Sequence, residues 1–150
     1  DPTISAARRR WEAARERLFL LEAPFTDAGI EKSGQNLKYD LTVLRRYGLE
    51  VQGPLYDTMI AHYVVHAAAP HGLDQLALHY LNYAPLPIEE LIGKKGKSQK
   101  SMREVPLEQV APYAAEDAEL VMRLRPKLDQ EVAAFGVEKL LRWNGHSCAC

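Results

Sequence analysis

The sequence predicts a single α/β domain of 150 residues in which helices far outnumber strands. Apolar residues recur at spacings of three and four along most of the chain, which is the pattern of amphipathic helices. Two short segments bounded by glycine or proline are instead typical of strands. Hydrophobic residues make up 47% of the chain, enough to bury a core at this length. We therefore expect one domain over residues 1–150.

The first half of the chain is predicted to contain both strands. Its first helix has Trp11 and Leu18 on one side and charged residues on the others, as a surface helix does. A strand follows within "IEKSGQN", and "LKYDLTVLRRYGLE" begins a helix that ends at Gly48 in the left-handed conformation. A second extended stretch lies around Leu55, and Asp57 is the expected N-cap of the next helix.

The second half of the chain is predicted to be helical. "HGLDQLALHYLNY" has helical spacing, and "PIEELIG" is a single turn opened by a proline. "GKKGKSQKSMREV" lacks apolar periodicity and is typical of a basic loop. A final helix should run from Pro106 to Arg125, where Pro126 is expected to kink or interrupt it.

Bulk composition limits the classes of function. The net charge of −1 gives no overall basic field, so any contact with nucleic acid must depend on a local patch. The two cysteines, Cys148 and Cys150, cannot form a disulfide framework or a structural zinc site, which favours a reducing, cytoplasmic setting. No apolar run reaches the length of a membrane span, and the first residues lack a signal-peptide core. A soluble protein without a membrane partner is expected.

Asp117 stands where the last helix should bury apolar side chains. The predicted buried face consists of the following residues: Leu107, Val110, Ala114, Val121 and Leu124. A buried carboxylate costs several kcal/mol unless it is paired or binds a metal, so Asp117 needs a partner. Tyr113 lies one turn earlier on the same side. The pair is either a structural hydrogen bond in the core or part of a functional site, and the spacing alone leaves both open.

Asp40 presents a similar choice at the junction between the first strand and its helix. Aspartate at this position is most often a helix cap or a first-turn charge that interacts with the helix dipole. Asn36 and Tyr39 flank it, however, and the strand fixes its direction. Hard divalent ions such as Mg²⁺ need only one or two carboxylates, with water and phosphate as the other ligands. Asp40 and Asp117 could supply that minimum.

Several separate motifs, in order, closely resemble one family. "GQNLKYDLTVLRRYGLEVQGPLYDTMIAHY", "HGLDQLALHYLNY", "PIEELIGKKGKSQKSM" and "VAPYAAEDAEL" are similar to the 3′-5′ proofreading exonuclease domain of bacterial DNA polymerase I, a family A polymerase. The likeness is strongest over residues 30–128. "NLKYD" resembles the second exonuclease motif and "YAAED" the third, in the tyrosine subtype of the four-carboxylate exonucleases.

The resemblance implies a ribonuclease-H-like fold, present here as a mostly helical fragment. It also implies two-metal hydrolysis of 3′-terminal nucleotides during DNA replication and repair, with two ions in the complete domain, Mg²⁺ or else Mn²⁺ or Zn²⁺. By similarity, Asp117 binds the first metal, Asp40 supports the second largely through water, and Tyr113 orients the attacking water.

The resemblance further implies contacts with a single-stranded 3′ end of DNA. Gln35, Asn36 and Tyr39 match positions that contact the frayed strand, and Ile88 matches an apolar residue that packs against a terminal base. The other implied partner is the polymerase domain of the same parent chain. A basic cluster at Lys94, Lys95, Lys97, Lys100 and Arg103 could bind phosphates, although a solvated flexible loop explains it equally well.

The chain departs from the family's pattern in two places. The Asp-x-Glu motif that provides the other two carboxylates has no counterpart ahead of Ile30, and Pro70 replaces a common arginine. We therefore expect a fragment without the first strands of the sheet and without nuclease activity on its own. An exposed strand edge should then favour self-association.

Other interpretations of the sequence stay open. A non-catalytic domain that serves as a spacer or guides DNA is the main alternative, and an RNA-trimming relative of the same superfamily is a third. His62 and His66, four residues apart, suggest a metal pair, but packing is favoured because no third ligand is in view. Trp11 and Trp143 are expected to anchor the terminal helices, and the tail "WNGHSCAC" matches nothing in the family.

Overall fold

The computed structural model describes residues 2–96, 99–141 and 143–144, with the side chains of residues 2–4, 7, 143 and 144 left outside that description. The α-helices are α1 Pro2–Phe19, α2 Glu22–Thr26, α3 Leu37–Arg46, α4 Thr58–Val65, α5 Leu73–Leu81, α6 Ile88–Ile92, α7 Leu107–Phe135 and α8 Glu138–Leu141. A short 3-10 helix covers Met102–Glu104.

The strands are short. They are β1 Lys32–Gly34, β2 Pro54–Asp57 and β3 Trp143–Asn144, and they form one sheet in the order β1-β2-β3. Strands β2 and β3 pair antiparallel, with Leu55 opposite Trp143. Because β3 begins at Trp143, this residue lies in the sheet and not in a terminal helix, which corrects the prediction made for it. Helices predominate over strands, as the sequence predicted.

The chain divides into two compact units. Among the described residues, the first consists of residues 2–32, 36–56 and 143–144, and the second of residues 33–35, 57–96 and 99–141. In the first unit, Trp11 stacks on Tyr47 at 6.0 Å between ring centroids, and the Arg15 guanidinium donates to the Tyr47 carbonyl. Trp11 thus contacts its own unit although it remains 42% exposed. Helix α1 is a surface helix, as predicted.

In the second unit, helices α4 and α5 pack on α7. The buried side of α7 consists of Leu120, Val121, Leu124, Leu128 and Val132. It therefore begins after Asp117, and the predicted apolar face is wrong at two positions: Leu107 is 70% exposed and Ala114 is also exposed. The reason is tertiary, because the burial of each turn of α7 depends on the elements that pack against it, which include α4 and α5.

Pro126 does not end the last helix, contrary to the sequence prediction. Helix α7 continues through it to Phe135 and ends at Gly136, which has a φ of +66°. An interior proline costs about 3 kcal/mol or more, whereas burying one leucine side chain contributes about 1.5–3 kcal/mol. Leu124 and Leu128, both fully buried, lie on either side of Pro126 and together outweigh its cost.

Most other predicted elements are confirmed. Gly48 follows α3 with a φ of +84°, and Asp57 caps α4 by accepting hydrogen bonds from the backbone N–H groups of Met59 and Ile60. Pro87 is the N-cap of α6. The sequence interpretation did not include α2, α8 or the 3-10 helix, which are short and lack a periodic apolar face. No helix among the described residues is both long and apolar enough to cross a membrane.

Candidate functional site

Asp117 and Tyr113 form the centre of a polar cluster on α7. One helical turn separates them, and each contributes to the pKa of the other. Both side chains are half-buried. The two groups thus interact at the edge of the core and not within it, where ligands can still reach the carboxylate.

Negative charge surrounds Asp117. Burial raises the pKa of its carboxyl group, and the nearby carboxylates of Asp74 and Glu116 raise that pKa further, while the hydrogen bond from Tyr113 opposes them. The pKa of Tyr113 is also raised, first by burial and then by the charges of Asp117 and Asp74. A cation beside Asp117 would relieve this repulsion, because it offsets both the desolvation and the like charges.

Glu116, next to Asp117, connects α7 to the segment between α5 and α6. One carboxylate oxygen accepts a hydrogen bond from the Tyr83 hydroxyl at 2.5 Å, and the other accepts from the Leu86 backbone N–H at 3.0 Å. The Arg123 guanidinium lies 5.4 Å from the centre of the Tyr83 ring. This segment is therefore fixed to the turn of α7 that carries Asp117.

Asp40, Asn36 and Tyr39 belong to the other compact unit. Asp40 is an exposed residue of the first turn of α3, and Tyr39 is 68% exposed. Asn36 is the N-cap residue of that helix and adopts a left-handed conformation with a φ of +59°. The roles predicted for these three residues, including the metal-binding role of Asp40 with Asp117, stay predictions.

Gln35 is held by hydrogen bonds within the second unit. Its amide nitrogen donates to the His71 carbonyl at 2.7 Å, and its amide oxygen accepts from the Thr58 hydroxyl at 2.5 Å. The Thr58 side chain is fully buried. Both ends of the Gln35 amide are thus engaged, which gives this residue a structural role. The DNA contact predicted for it stays a prediction.

The other predicted DNA contacts lie around α6. Ile88 begins that helix and is 38% exposed. Lys94 and Lys95 follow it in an exposed loop, whose base is closed by a hydrogen bond from the Lys100 N–H to the Ile92 carbonyl at 2.8 Å. Lys97 lies outside the described residues. The two described lysines are accessible to a phosphate backbone.

The histidines form a packed network elsewhere in the second unit. His62 is buried and its Nδ1 lies 2.7 Å from the Nδ1 of His71. His66 donates to Glu131 at 2.9 Å, and the Tyr80 hydroxyl donates to the same carboxylate oxygen at 2.6 Å. The packing interpretation of His62 and His66 is confirmed by these contacts.

The described residues supply few ligands for a metal. Within residues 2–96, 99–141 and 143–144, no three His, Cys, Asp or Glu side chains are grouped so that they could hold an ion. Asp117 has the raised pKa and the negative surroundings that suit one cation, but the arrangement does not fit a complete two-ion centre.

Comparison with known families adds the decisive observation. A family model described as 3′-5′ exonuclease, of family A DNA polymerases, matches residues 12–133. The chain belongs to this exonuclease family. The match includes the Tyr113 and Asp117 pair and confirms the resemblance based on the motifs, and it extends further toward the N-terminus than those motifs did.

Curated relatives are DNA polymerases. DNA polymerase I of Rhizobium leguminosarum is 37% identical over 124 residues, which are 82% of this chain and 12% of that protein. DNA polymerase I of Pseudomonas aeruginosa is 40% identical over 107 residues, 69% of this chain and 12% of that protein. The chain thus spans about an eighth of the length of either relative.

Solved structures share the fold. Brucella melitensis NrnC superposes with a TM-score of 0.66 and 26% identity, covering 81% of this chain and 56% of that one. The same protein bound to pGG gives a TM-score of 0.62 at 25% identity, covering 78% and 53%, and its form with bound Mg²⁺ gives 0.61 at 23%, covering 78% and 53%. The predicted ribonuclease-H-like exonuclease fold, mostly helical here, is confirmed.

Two residues of the site had no assigned role in the sequence interpretation. Glu116 stands inside "YAAED" and Asp74 inside "HGLD", both quoted as motifs. A first-turn acid such as Asp74 looks like an ordinary helix-dipole charge, so nothing in its sequence context indicates that it acts on Asp117. The signal for Glu116 was its position beside the aspartate.

Proposed function

We propose that this chain contributes the 3′-5′ proofreading exonuclease function of a DNA polymerase I, as part of the domain that binds a single-stranded 3′ end of DNA. The observation that carries the proposal is the interacting, half-buried pair of Tyr113 and Asp117, one turn apart on α7, within a chain of the exonuclease family. A carboxylate kept in a field of like charge is costly for the fold, which favours a functional reason for it.

The two side chains have complementary roles in this proposal. Asp117 presents a carboxylate whose raised pKa reflects burial and the charges of Asp74 and Glu116. Tyr113 lies one turn before Asp117 and interacts with its carboxylate, and the phenol oxygen can accept a hydrogen bond from a water molecule. Together they would orient water next to a bound phosphate, by positioning and electrostatics more than by covalent chemistry.

A divalent cation, Mg²⁺ first among Mg²⁺, Mn²⁺ and Zn²⁺, is proposed as the cofactor, with two ions in a complete domain. Asp117 would be the ligand in the second unit, and Asp40 is the proposed second carboxylate. A bound ion would neutralise charge on the phosphate and on the developing oxyanion. The Mg²⁺-bound form of NrnC, which has the same fold, is consistent with this choice.

We propose that the purified chain binds DNA but does not trim it, because no Asp-x-Glu motif precedes Ile30. The experiment incubates a 5′-labelled single-stranded oligonucleotide with the chain and Mg²⁺ and resolves the products by length. Intact substrate is expected, together with binding measured by fluorescence anisotropy that weakens in Asp117→Ala when Mg²⁺ is present. Trimming that Asp117→Ala abolishes would refute the inactivity, and absence of any binding would refute the DNA-binding function.

A second candidate function has one specific observation in its favour. The NrnC structure that contains pGG shares 25% identity with this chain, which suggests trimming of very short oligonucleotides. Competition decides between the two: excess pGG should displace a labelled single-stranded DNA only weakly if the proofreading function is correct. Tighter binding of pGG than of the longer DNA would instead favour the second candidate.

Three further proposals concern the partners and the location of the chain. The polymerase domain of the parent chain is the proposed intramolecular partner, and the proposed location is the cytoplasm. Strands β1 and β3 are the outer strands of the described sheet, and we propose that one of them pairs with a second copy. Self-association would appear in light scattering as a mass that rises with concentration, whereas a constant monomer mass would contradict it.

A further inference from the structure

The turn of α7 that carries Asp117 is joined to an apolar segment that the sequence interpretation did not connect to it. This segment, residues 83–88 with the sequence "YAPLPI", lies between α5 and α6. Three of its side chains are large, apolar and more than a third exposed: Tyr83 at 36%, Leu86 at 37% and Ile88 at 38%. We call these three residues the apolar rim.

The segment has little conformational freedom of its own. Pro85 and Pro87 fix their φ angles and carry no N–H group, so Leu86 provides the only backbone donor of residues 85–87. At its start, Asn82 ends α5 in a left-handed conformation with a φ of +49°, and the Tyr83 N–H donates back to the Ala77 carbonyl. Within residues 85–87, the partner of the Leu86 N–H therefore orients the backbone.

That partner is Glu116. Its two oxygens engage the same segment, one at the Tyr83 hydroxyl and the other at the Leu86 N–H, at 2.5 and 3.0 Å. The Arg123 guanidinium lies over one face of the Tyr83 ring. The ring is therefore held both by this contact and by the hydrogen bond of its hydroxyl. Glu116 thus fixes the apolar rim relative to the backbone of the neighbouring Asp117.

We propose that Glu116 is a positioning residue: it holds the apolar rim beside Asp117, so that the last base of a single strand stacks on the rim while its phosphate reaches the carboxylate. This inference rests on the proposed function. Stacking on apolar or aromatic side chains is independent of base identity, which suits a site that must accept any terminal nucleotide. The resemblance pointed only to Ile88, and the hydrogen bonds add Tyr83, Leu86 and Glu116.

The test separates recognition of the base from binding of the backbone. Two labelled single-stranded oligonucleotides are compared by fluorescence anisotropy in Mg²⁺, identical except that one ends in an abasic nucleotide. Stacking of one base contributes about 1–3 kcal/mol, so the chain should bind the base-ended strand about 5- to 150-fold more tightly. Glu116→Gln should lower this ratio at least twofold, because its one amide oxygen can accept only one of the two hydrogen bonds. The ratio is the readout because loss of the Glu116 charge changes backbone binding equally for both strands.

Matched variants identify the cause of any loss. Glu108→Gln removes the same charge from an exposed position in the first turn of α7 and should keep the ratio of the unmodified chain. Tyr83→Phe removes one of the two hydrogen bonds and should give an intermediate ratio. Hydrogen exchange of the Leu86 amide provides a readout without DNA, and it should accelerate in Glu116→Gln but not in Glu108→Gln.

The binding ratio and the exchange of the Leu86 amide together test the positioning role of Glu116. A lowered ratio in Glu116→Gln, with faster Leu86 exchange and unchanged global stability, supports the inference. An unchanged ratio overturns it, even if the segment is released, and unchanged exchange overturns it as well. If the unmodified chain binds neither strand, the proposed function fails, whereas discrimination that survives in Glu116→Gln removes only the positioning role.

Discussion

On helix α7, the pKa values of two half-buried carboxylates, Glu131 and Asp117, are shifted in opposite directions. At Glu131, burial alone would raise the pKa, but hydrogen bonds from Tyr80 and His66 outweigh it and the pKa is lowered. At Asp117, burial and neighbouring negative charges raise the pKa, and the single hydrogen bond from Tyr113 does not compensate. Hydrogen-bond donors of its own unit favour the ionised form of Glu131, whereas burial and neighbouring carboxylates disfavour the ionised form of Asp117.

The surroundings of Glu131 form a structural polar network, whereas those of Asp117 do not. The Glu131 region joins α4, α5 and α7 through donors that complement one another. The Asp117 region gathers like charges instead, since Asp74 on α5 and Glu116 on α7 both act on Asp117. Because like charges raise the pKa of Asp117, a positive charge nearby would favour its ionised form. The contrast between the two carboxylates predicts different effects of substitution in each region.

Removing core volume between the two regions should disrupt both. Leu124 is fully buried, and Leu124→Ala is expected to lower the free energy of unfolding by about 2–5 kcal/mol, through lost burial and a cavity. Urea titration followed by circular dichroism measures the change. Met122→Ala, at a position 63% exposed on the same helix, is the control and should change stability by less than about 0.5 kcal/mol. Equal effects of the two variants would contradict the assignment of the core.

Glu131→Gln should weaken the hydrogen bonds that Glu131 accepts from Tyr80 and His66. It replaces an ionised acceptor of two hydrogen bonds by a neutral one, and since the site is partly exposed we expect a loss of about 1–2 kcal/mol. The measurement is again urea unfolding. Asp129→Asn removes a carboxylate from the same helix whose contact with Arg125 is longer, at 3.4 Å, and should cost less. A larger loss in Asp129→Asn would show that the Glu131 network adds no stability.

The histidine network should make stability depend on pH. The groups that face His62 are His66, His71, His79, Tyr80 and Glu131. Burial, then the charges of His71 and His66, lower the pKa of His62 below 6.5. The contact between the Nδ1 atoms also requires one of them to be unprotonated.

Because the folded pKa of His62 is depressed, its contribution to stability is complete above about pH 6.5 and is lost as pH falls toward the folded pKa. Unfolding measured between pH 7.5 and 5.5, with NMR titration of the His62 ring, checks this. A folded pKa above the unfolded one, or constant stability over this range, would contradict it.

Asp117→Asn should have the smallest effect and the opposite sign. The raised pKa means that the ionised carboxylate is disfavoured in the folded state, so a neutral amide should increase the free energy of unfolding by less than about 1 kcal/mol. The same variant should lose the Mg²⁺-dependent part of DNA binding. Destabilisation comparable to that of Glu131→Gln would instead make Asp117 a structural residue like Glu131.

Much of the candidate site could be predicted because its chemistry is local. Tyr113 and Asp117 are four residues apart on one helix, so their pairing follows from helical geometry. The N-cap at Asp57 and the left-handed glycine at Gly48 also depend only on neighbouring residues. The contacts of Glu116 with Tyr83 and Leu86 join residues about thirty positions apart, and no local rule predicts them.

The family, the predominance of helices and the placement of Tyr113 and Asp117 on one side of a helix could be predicted from the sequence, because motifs, spacing and turn chemistry act over a few residues. Where the core of α7 begins could not be predicted, since burial depends on the elements that pack against the helix. The passage of α7 through Pro126 is likewise a tertiary effect, because the burial of Leu124 and Leu128 outweighs a missing hydrogen bond. For the same reason the opposite pKa shifts of Asp117 and Glu131 were not predictable: each depends on the side chains that other helices bring to it.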